Sequence, residues 1–267
     1  MKIAMNYYLE YADGFTGKEW VDFVRENGFK YFEIIATRLP VMPDEQDEII
    51  NYANNQGIRA SLHAPYRNVN IIDSDKEKKE QSISLIKESI DIAKRYNLQA
   101  VTFHPGRLSA DGEDEEEKWA ELMDAVREIA EYAKEKQVKV GIENMELRKY
   151  ELVQTIDDFN RLAEIGENNP YFGVTLDFVH FATHGIFSPD LKKLKLPVHN
   201  VHLSQQSDGK THLPLTVKNG TIDFVNVCNI LNDYGYDGYC VFEINDDFYK
   251  SRCILEEADR CSLSKGK

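Results

Sequence analysis

The chain has 267 residues, 46 acidic against 32 basic, and a formal net charge of −14. That length suits one domain with a large buried core, and the negative field disfavours long nucleic acid as a partner. No stretch approaches the ~20 apolar residues of a membrane span, and the opening MKIAMNYYLEYADG lacks the basic-then-apolar pattern of a secretory leader. A cytoplasmic protein without a membrane segment is the expectation. Cys228, Cys240, Cys253 and Cys261 form no CxxC pair, so free and mostly packed thiols are expected rather than a thiolate zinc site or a redox dithiol.

In chain order, strand-like runs fall at Lys2–Tyr7, Tyr31–Ile35, Ile58–Leu62, Ala100–Phe103, Lys139–Ile142, Phe172–Leu176, Val198–Leu203 and Gly238–Ile244. Between them the spacing turns helical. Ile83, Ile86, Ile90 and Ala93 make one stripe, and Leu122, Ala125, Val126, Ile129 and Tyr132 make another. Eight alternations of strand and helix at ~30 residues each predict an α/β fold, a single (β/α)8 TIM barrel over residues 1–267. No GxGxxG follows the first strand and no GxxxxGK[ST] occurs, which excludes the common phosphate-cradling loops. The acidic run Asp111–Glu117 reads as a solvated helix start. Ser204–Thr221, long for a connection after a barrel strand, carries Asp208, Lys210, His212 and two glycines and is expected to be functional.

Metal-ligand residue types recur at the ends of the later strand runs: TFH104, GIE143, GVTLD177, NVH202 and VFE243. Strand C-termini are where a (β/α)8 barrel builds its active site. Glu143, Asp177, His202 and Glu243 can converge on one ion, and this oxygen-rich set suits Mn2+, Mg2+, Co2+ or Zn2+. Three buried carboxylates without a counter-ion would cost several kcal/mol. His63 in SLHAPY and His104 in TFHPG can bind a second zinc bridged by Glu143. His180 and His212 form a further layer, with Tyr66 and Phe103 as candidate pocket walls. His199 belongs elsewhere, and His184 is expected to be exposed.

The phrases HAPY, FHPG, IEN, LDxxH, VHL, HLPL with GTIDF, and FEI, in this order over nearly the whole chain, make it resemble the xylose isomerase-like TIM-barrel superfamily. That group includes sugar isomerases and epimerases as well as endonuclease IV. Its ketose 3-epimerase branch implies one divalent metal at Glu143, Asp177, His202 and Glu243, with the two glutamates moving the proton. Its endonuclease IV branch implies a first zinc at His63, His104 and Glu143 and a second at that same quartet. The third zinc of that branch would use the positions of His180 and His212 with an aspartate where this chain has Lys210, so a trinuclear centre is expected to be incomplete.

The expected activity is thus isomerisation or epimerisation of a small sugar or sugar derivative, through an enediolate stabilised by the metal. Glu143 and Glu243 would be base and acid, and His180 would orient a substrate oxygen. Lys210, Arg107 and Arg148 are candidates for the remote end of the substrate, joined by His212 and Tyr66. The acidic start of INDDFYKSR after Glu243 disfavours a phosphate pocket at that point. An abasic-site endonuclease or other zinc phosphodiesterase is the main alternative, ahead of a dehydratase or lyase and a non-catalytic barrel. A homo-oligomer is compatible with the chain.

Overall fold

Each of the eight strand-like runs finds its partner in the computed structural model, which describes residues 1–6, 17–36 and 43–265. The barrel strands are β1 (Lys2–Asn6), β2 (Tyr31–Ile35), β3 (Arg59–His63), β4 (Val101–Phe103), β5 (Val140–Glu143), β6 (Phe172–Asp177), β7 (Val198–Leu203) and β10 (Tyr239–Phe242). They close in the order β1-β10-β7-β6-β5-β4-β3-β2, and every pairing is parallel. Tyr7, the expected end of the first strand, lies outside the described residues. No described helix is long and apolar enough to cross a membrane.

The helices α1 (Gly17–Glu26), α2 (Pro43–Asn55), α3 (Lys76–Tyr96) and α4 (Glu115–Lys136) follow the first four strands. Helix α3 starts where the Asp75 side chain accepts the free amides of Glu77 and Lys78, and it ends at Asn97 in the left-handed conformation. Its inner face buries Ile83, Ile86, Ile90 and Ala93, the predicted stripe, at roughly 1.5–3 kcal/mol for each large aliphatic side chain. Helix α4 is capped by Asp114, so Glu115, Glu116 and Glu117 occupy its first turn and complement the dipole. Its stripe buries Trp119, Leu122, Ala125, Val126 and Ile129, whereas Tyr132 stays half-buried and donates its hydroxyl to Asp91 at 2.8 Å.

After β5 come α5 (Ile156–Arg161) and α6 (Ala163–Gly166), and after β6 the short α7 (Phe178–Thr183). The long segment after β7 is an antiparallel ribbon of β8 (Gln205–Ser207) and β9 (Lys210–Leu213). Its turn is Asp208–Gly209, with φ of +50° and +74°, the backbone that an Asp-Gly hairpin supplies. Helices α8 (Phe224–Tyr234) and α9 (Phe248–Lys265) complete the ring. All four cysteines are free; Cys228 and Cys240 are buried, while Cys253 is exposed.

Inside the barrel, beneath the C-terminal strand ends, lies a polar layer. Ser61 and Asn200 both donate to Glu33, Asn200 also donates to Thr102, and the Thr102 and Thr175 hydroxyls bond to each other at 2.9 Å. Gly141 on β5 makes room for this layer, because a Cβ there would stand 2.4 Å from Thr175 Oγ1 and 2.9 Å from its backbone nitrogen. Gly141→Ala is expected to lower unfolding free energy by about 1–3 kcal/mol through overpacking. Urea titration of both proteins checks this, and an unchanged midpoint would mean that the layer is loosely packed.

Candidate metal centre

Strand ends bring the candidate ligands together. Glu143 and Asp177 are the last residues of β5 and β6, His202 is paired in register with Asp177 on β7, and Glu243 directly follows β10. Each offers one ligand atom, and those four atoms lie within 4.8 Å of one another, all buried. His63, His104 and Glu143 form a second such group. The third is Glu146, His180 and His212, and Glu146 was not anticipated from sequence.

Hydrogen bonding fixes which way the rings face. A carbonyl oxygen only accepts, so His63 donates Nδ1–H to Ala64 at 2.7 Å and turns Nε2 toward Glu143 Oε2, 3.4 Å away. His104 Nε2 stands 3.2 Å from that same oxygen. His180 likewise donates Nδ1–H to the Asn144 carbonyl at 2.7 Å, leaving its Nε2 3.4 Å from His212 Nε2 and 3.8 Å from Asp177 Oδ2. Glu143 Oε2 and Asp177 Oδ2 are buried without a hydrogen-bond partner among the described residues. Lone pairs aimed at lone pairs repel unless a proton or a cation lies between them, so the donor set fits a divalent ion on chemical grounds.

Residues outside these groups hold them in place. Asn144 donates to the Asp177 carbonyl and accepts from the Asp177 amide, at 3.0 and 2.9 Å, which locks the ends of β5 and β6 together. Asn6 donates to Glu243 at 3.0 Å. His202 Nδ1 bonds Glu143 at 2.9 Å, and its Nε2 stands 3.0 Å from Glu33, a fully buried carboxylate on β2. A carboxylate behind a ligating imidazole orients the ring and raises its basicity. Only an isolated acid in the apolar run YFEII marks Glu33 in the sequence, and nothing periodic marks Glu146.

Charge is distributed unevenly. Burial pushes the Glu143 carboxyl up, but His202, His104 and His63 win and hold it well below the usual carboxylate range. Burial and the neighbouring Glu143 and Asp177 charges push Glu243 up, against His202 and His212. His202 is raised well above the ordinary histidine value, because Glu243, Glu143 and Glu33 overcome its burial. Burial lowers His212 too, but Glu146 and Glu243 overcome that and bring it up to about 9.

Several expected contributors sit elsewhere. Lys210 is exposed and does not line the cavity over the cluster; Glu146, which accepts from Thr211 at 2.7 Å, stands beside His180 and His212 instead. The expected incompleteness of a third metal group, built on Lys210, therefore does not hold for the donor set. Arg107 lines a neighbouring cleft, and Arg148 lines both spaces while ion-pairing with Glu146. Tyr66 lines the site cavity with its ring 5.5 Å from those of His63 and His104, whereas Phe103 is wholly buried in the core. His184 is half-buried, its Nε2 3.3 Å from the Met145 carbonyl, rather than exposed. His199 is buried in β7, apart from all three groups.

Residues 21–260 match the family described as xylose isomerase-like TIM barrel. The chain belongs to that family. An uncharacterized protein of Methanocaldococcus jannaschii is 24% identical over 249 residues, covering 88% of this chain and 82% of that protein. Among solved structures, a D-tagatose 3-epimerase-like protein superposes with a TM-score of 0.85 at 22% identity, covering 100% of both chains. The 3-keto-D-glucoside 4-epimerase of E. coli gives 0.79 at 18%, covering 96% of this chain and 99% of that one. These likenesses show that this xylose isomerase-like chain shares their fold.

Two outcomes follow for the centre. Glu33→Gln is expected to weaken Mn2+ or Zn2+ binding about 10- to 100-fold, read by titrating metal-free protein, and wild-type affinity would remove Glu33 from the site. Because His212 is raised above the ordinary 6.5 to about 9, the stability its pairing contributes is fully present below pH 6.5. It is lost as pH rises through about 9. Thermal unfolding of metal-free protein should fall over that window, and His212→Gln should shrink the fall.

Proposed function

We propose that this protein is a divalent-metal-dependent isomerase or epimerase of a small sugar or sugar derivative, acting by proton transfer next to a carbonyl. The reading is carried by the buried quartet Glu143, Asp177, His202 and Glu243, in which two glutamates share one cluster of ligand atoms that all lie within 4.8 Å of one another. Two carboxylates in one site can divide the work of base and acid. Glu143 and Glu243 serve as base and acid, one taking the proton from the carbon beside the carbonyl and the other delivering one. A cation at Glu143, Asp177, His202 and Glu243 supplies Lewis acidity toward the substrate oxygens. His180, fixed by Asn144, presents Nε2 to a substrate hydroxyl. Tyr66 and Met145 line the cavity over the quartet. Support from relatives is that two structural neighbours bear the names of sugar epimerases.

The decisive test is proton exchange. Protein supplied with Mn2+, Co2+ or Zn2+ is incubated with a panel of ketoses in deuterium oxide, and deuterium at the carbon beside the carbonyl is followed by NMR. Exchange is expected, with loss on chelation, and Glu143→Gln or Glu243→Gln should slow it about 10²- to 10⁴-fold. Absence of exchange with every ketose and metal would sink the reading.

One observation favours a second reading, a zinc phosphodiesterase. Glu146 joins His180 and His212, so three groups of metal-capable residues meet in one site, although the −14 charge opposes a nucleic-acid substrate. Two or three tightly held zinc ions per chain, with cleavage of a duplex containing an abasic site, would replace the first reading with this one.

A further inference from the structure

The cavity over the cluster holds about 150 Å³, while the cleft beside it holds about 780 Å³. Ligand sites commonly run about 300–1,000 Å³, so the space over the cluster is small for a whole substrate and the cleft is not. Arg148 lines both and joins them.

Arg107, on the wall of the cleft, has its backbone fixed from two sides. The Asn70 side chain donates to the Arg107 carbonyl at 2.8 Å and accepts from its amide at 3.0 Å. Gly106, at φ +82°, permits that approach, since a Cβ there would stand 2.7 Å from Asn70 Oδ1. On the other side Arg107 forms a β-bridge to Glu151, and Leu108 donates to the Tyr150 carbonyl at 2.9 Å. The guanidinium itself is exposed and makes no ion pair or hydrogen bond among the described residues. An arginine whose base is clamped and whose head is free suits recognition of an anion.

The other charges of the cleft agree. Lys78 and Arg148 add two cations, Lys78 with Asp75 3.9 Å away and Arg148 paired with Glu146. Of the carboxylates, Asp73 accepts from the Asp75 amide at 2.9 Å and keeps its charge, while burial pushes Glu151 up against the pull of Arg107 and Arg148. The lining thus holds three cations, Arg107, Lys78 and Arg148, against two carboxylates, Asp73 and Glu151, in a chain of net −14.

We infer that this cleft is a subsite for an anionic group, a phosphate or a carboxylate, at the end of the substrate remote from the carbonyl. The inference rests on the sugar isomerase or epimerase reading and narrows its substrate class to anionic sugars. Arg107 is the principal contact, with Arg148 bridging toward the cluster. This places the anion beside β4 and β5, not after β10 where the sequence is acidic.

The test is calorimetric binding of D-fructose, D-fructose 6-phosphate and D-fructuronate to Mn2+-supplied protein and to its Arg107→Gln variant. At least one anionic ketose is expected to bind about tenfold or more tightly than D-fructose, a gain of about 1.4 kcal/mol. The phosphate and carboxylate arms tell the two anions apart. Arg107→Gln should bring that advantage to within about twofold, and Arg107→Lys should restore part of it. Equal binding of the neutral and anionic ketoses, failure of both anionic ketoses to bind, or an advantage that survives in Arg107→Gln would overturn the subsite. Deuterium exchange reports separately on the underlying reading: exchange with D-fructose but no anionic preference defeats the subsite alone. Anionic preference without exchange on any ketose defeats the isomerase or epimerase reading alone.

Discussion

The organisation of the site follows from a surplus of buried negative charge. Glu33, Glu143, Asp177 and Glu243 are nearly inaccessible to solvent, and water cannot screen them there. Imidazoles surround them, and two of these rings spend their Nδ1–H on backbone carbonyls, leaving lone pairs toward the carboxylates. Something positive has to enter. In the metal-free protein protons on His202 and His212 serve, which is why both titrate far above ordinary histidine. The same positions could hold a divalent ion, and the supporting bonds of Asn6, Asn144 and Glu33 keep the donors convergent.

The fold was legible because a barrel repeats one local pattern eight times. β-Branched and aromatic runs mark the strands, and the Ile83 to Ala93 stripe marks a helix face without reference to anything distant. The strand-end donors were legible for a related reason: His63, Glu143 and Asp177 each close their strand, so position in the repeat already states position in space. Glu33, Glu146 and Asn144 lack that property. Glu33 matters because β7 brings His202 over it, and Glu146 because the β8–β9 ribbon brings Thr211 and His212 back to it. Neither closeness is written in local spacing. Lys210 was placed near the site by the resemblance, but it is exposed on the ribbon, where His212 two residues on has φ +54° and breaks the alternation of faces that a regular strand keeps.

Global and local electrostatics also part company. A net charge of −14 describes the far field, which governs approach over distances near the Debye length. Within the cleft, the clamped Arg107 stands with Lys78 and Arg148 against two carboxylates, Asp73 and Glu151, so the local balance of charges differs from that of the whole chain. A small anion reaches such a pocket, whereas a long polyanion must also lie along the acidic surface around it.

The ribbon carries a consequence for how this architecture can change. His212 belongs to a hairpin attached to the barrel rim, joined by an Asp-Gly turn and held to the interior through Glu146. The quartet below it belongs to the barrel itself. Lengthening, shortening or retuning the hairpin alters the outer wall of the site without disturbing a single strand pairing. The positions of the lower donors are therefore set by barrel pairing and those of the upper ones by a separate hairpin, so the rim can vary while the base of the site keeps its geometry.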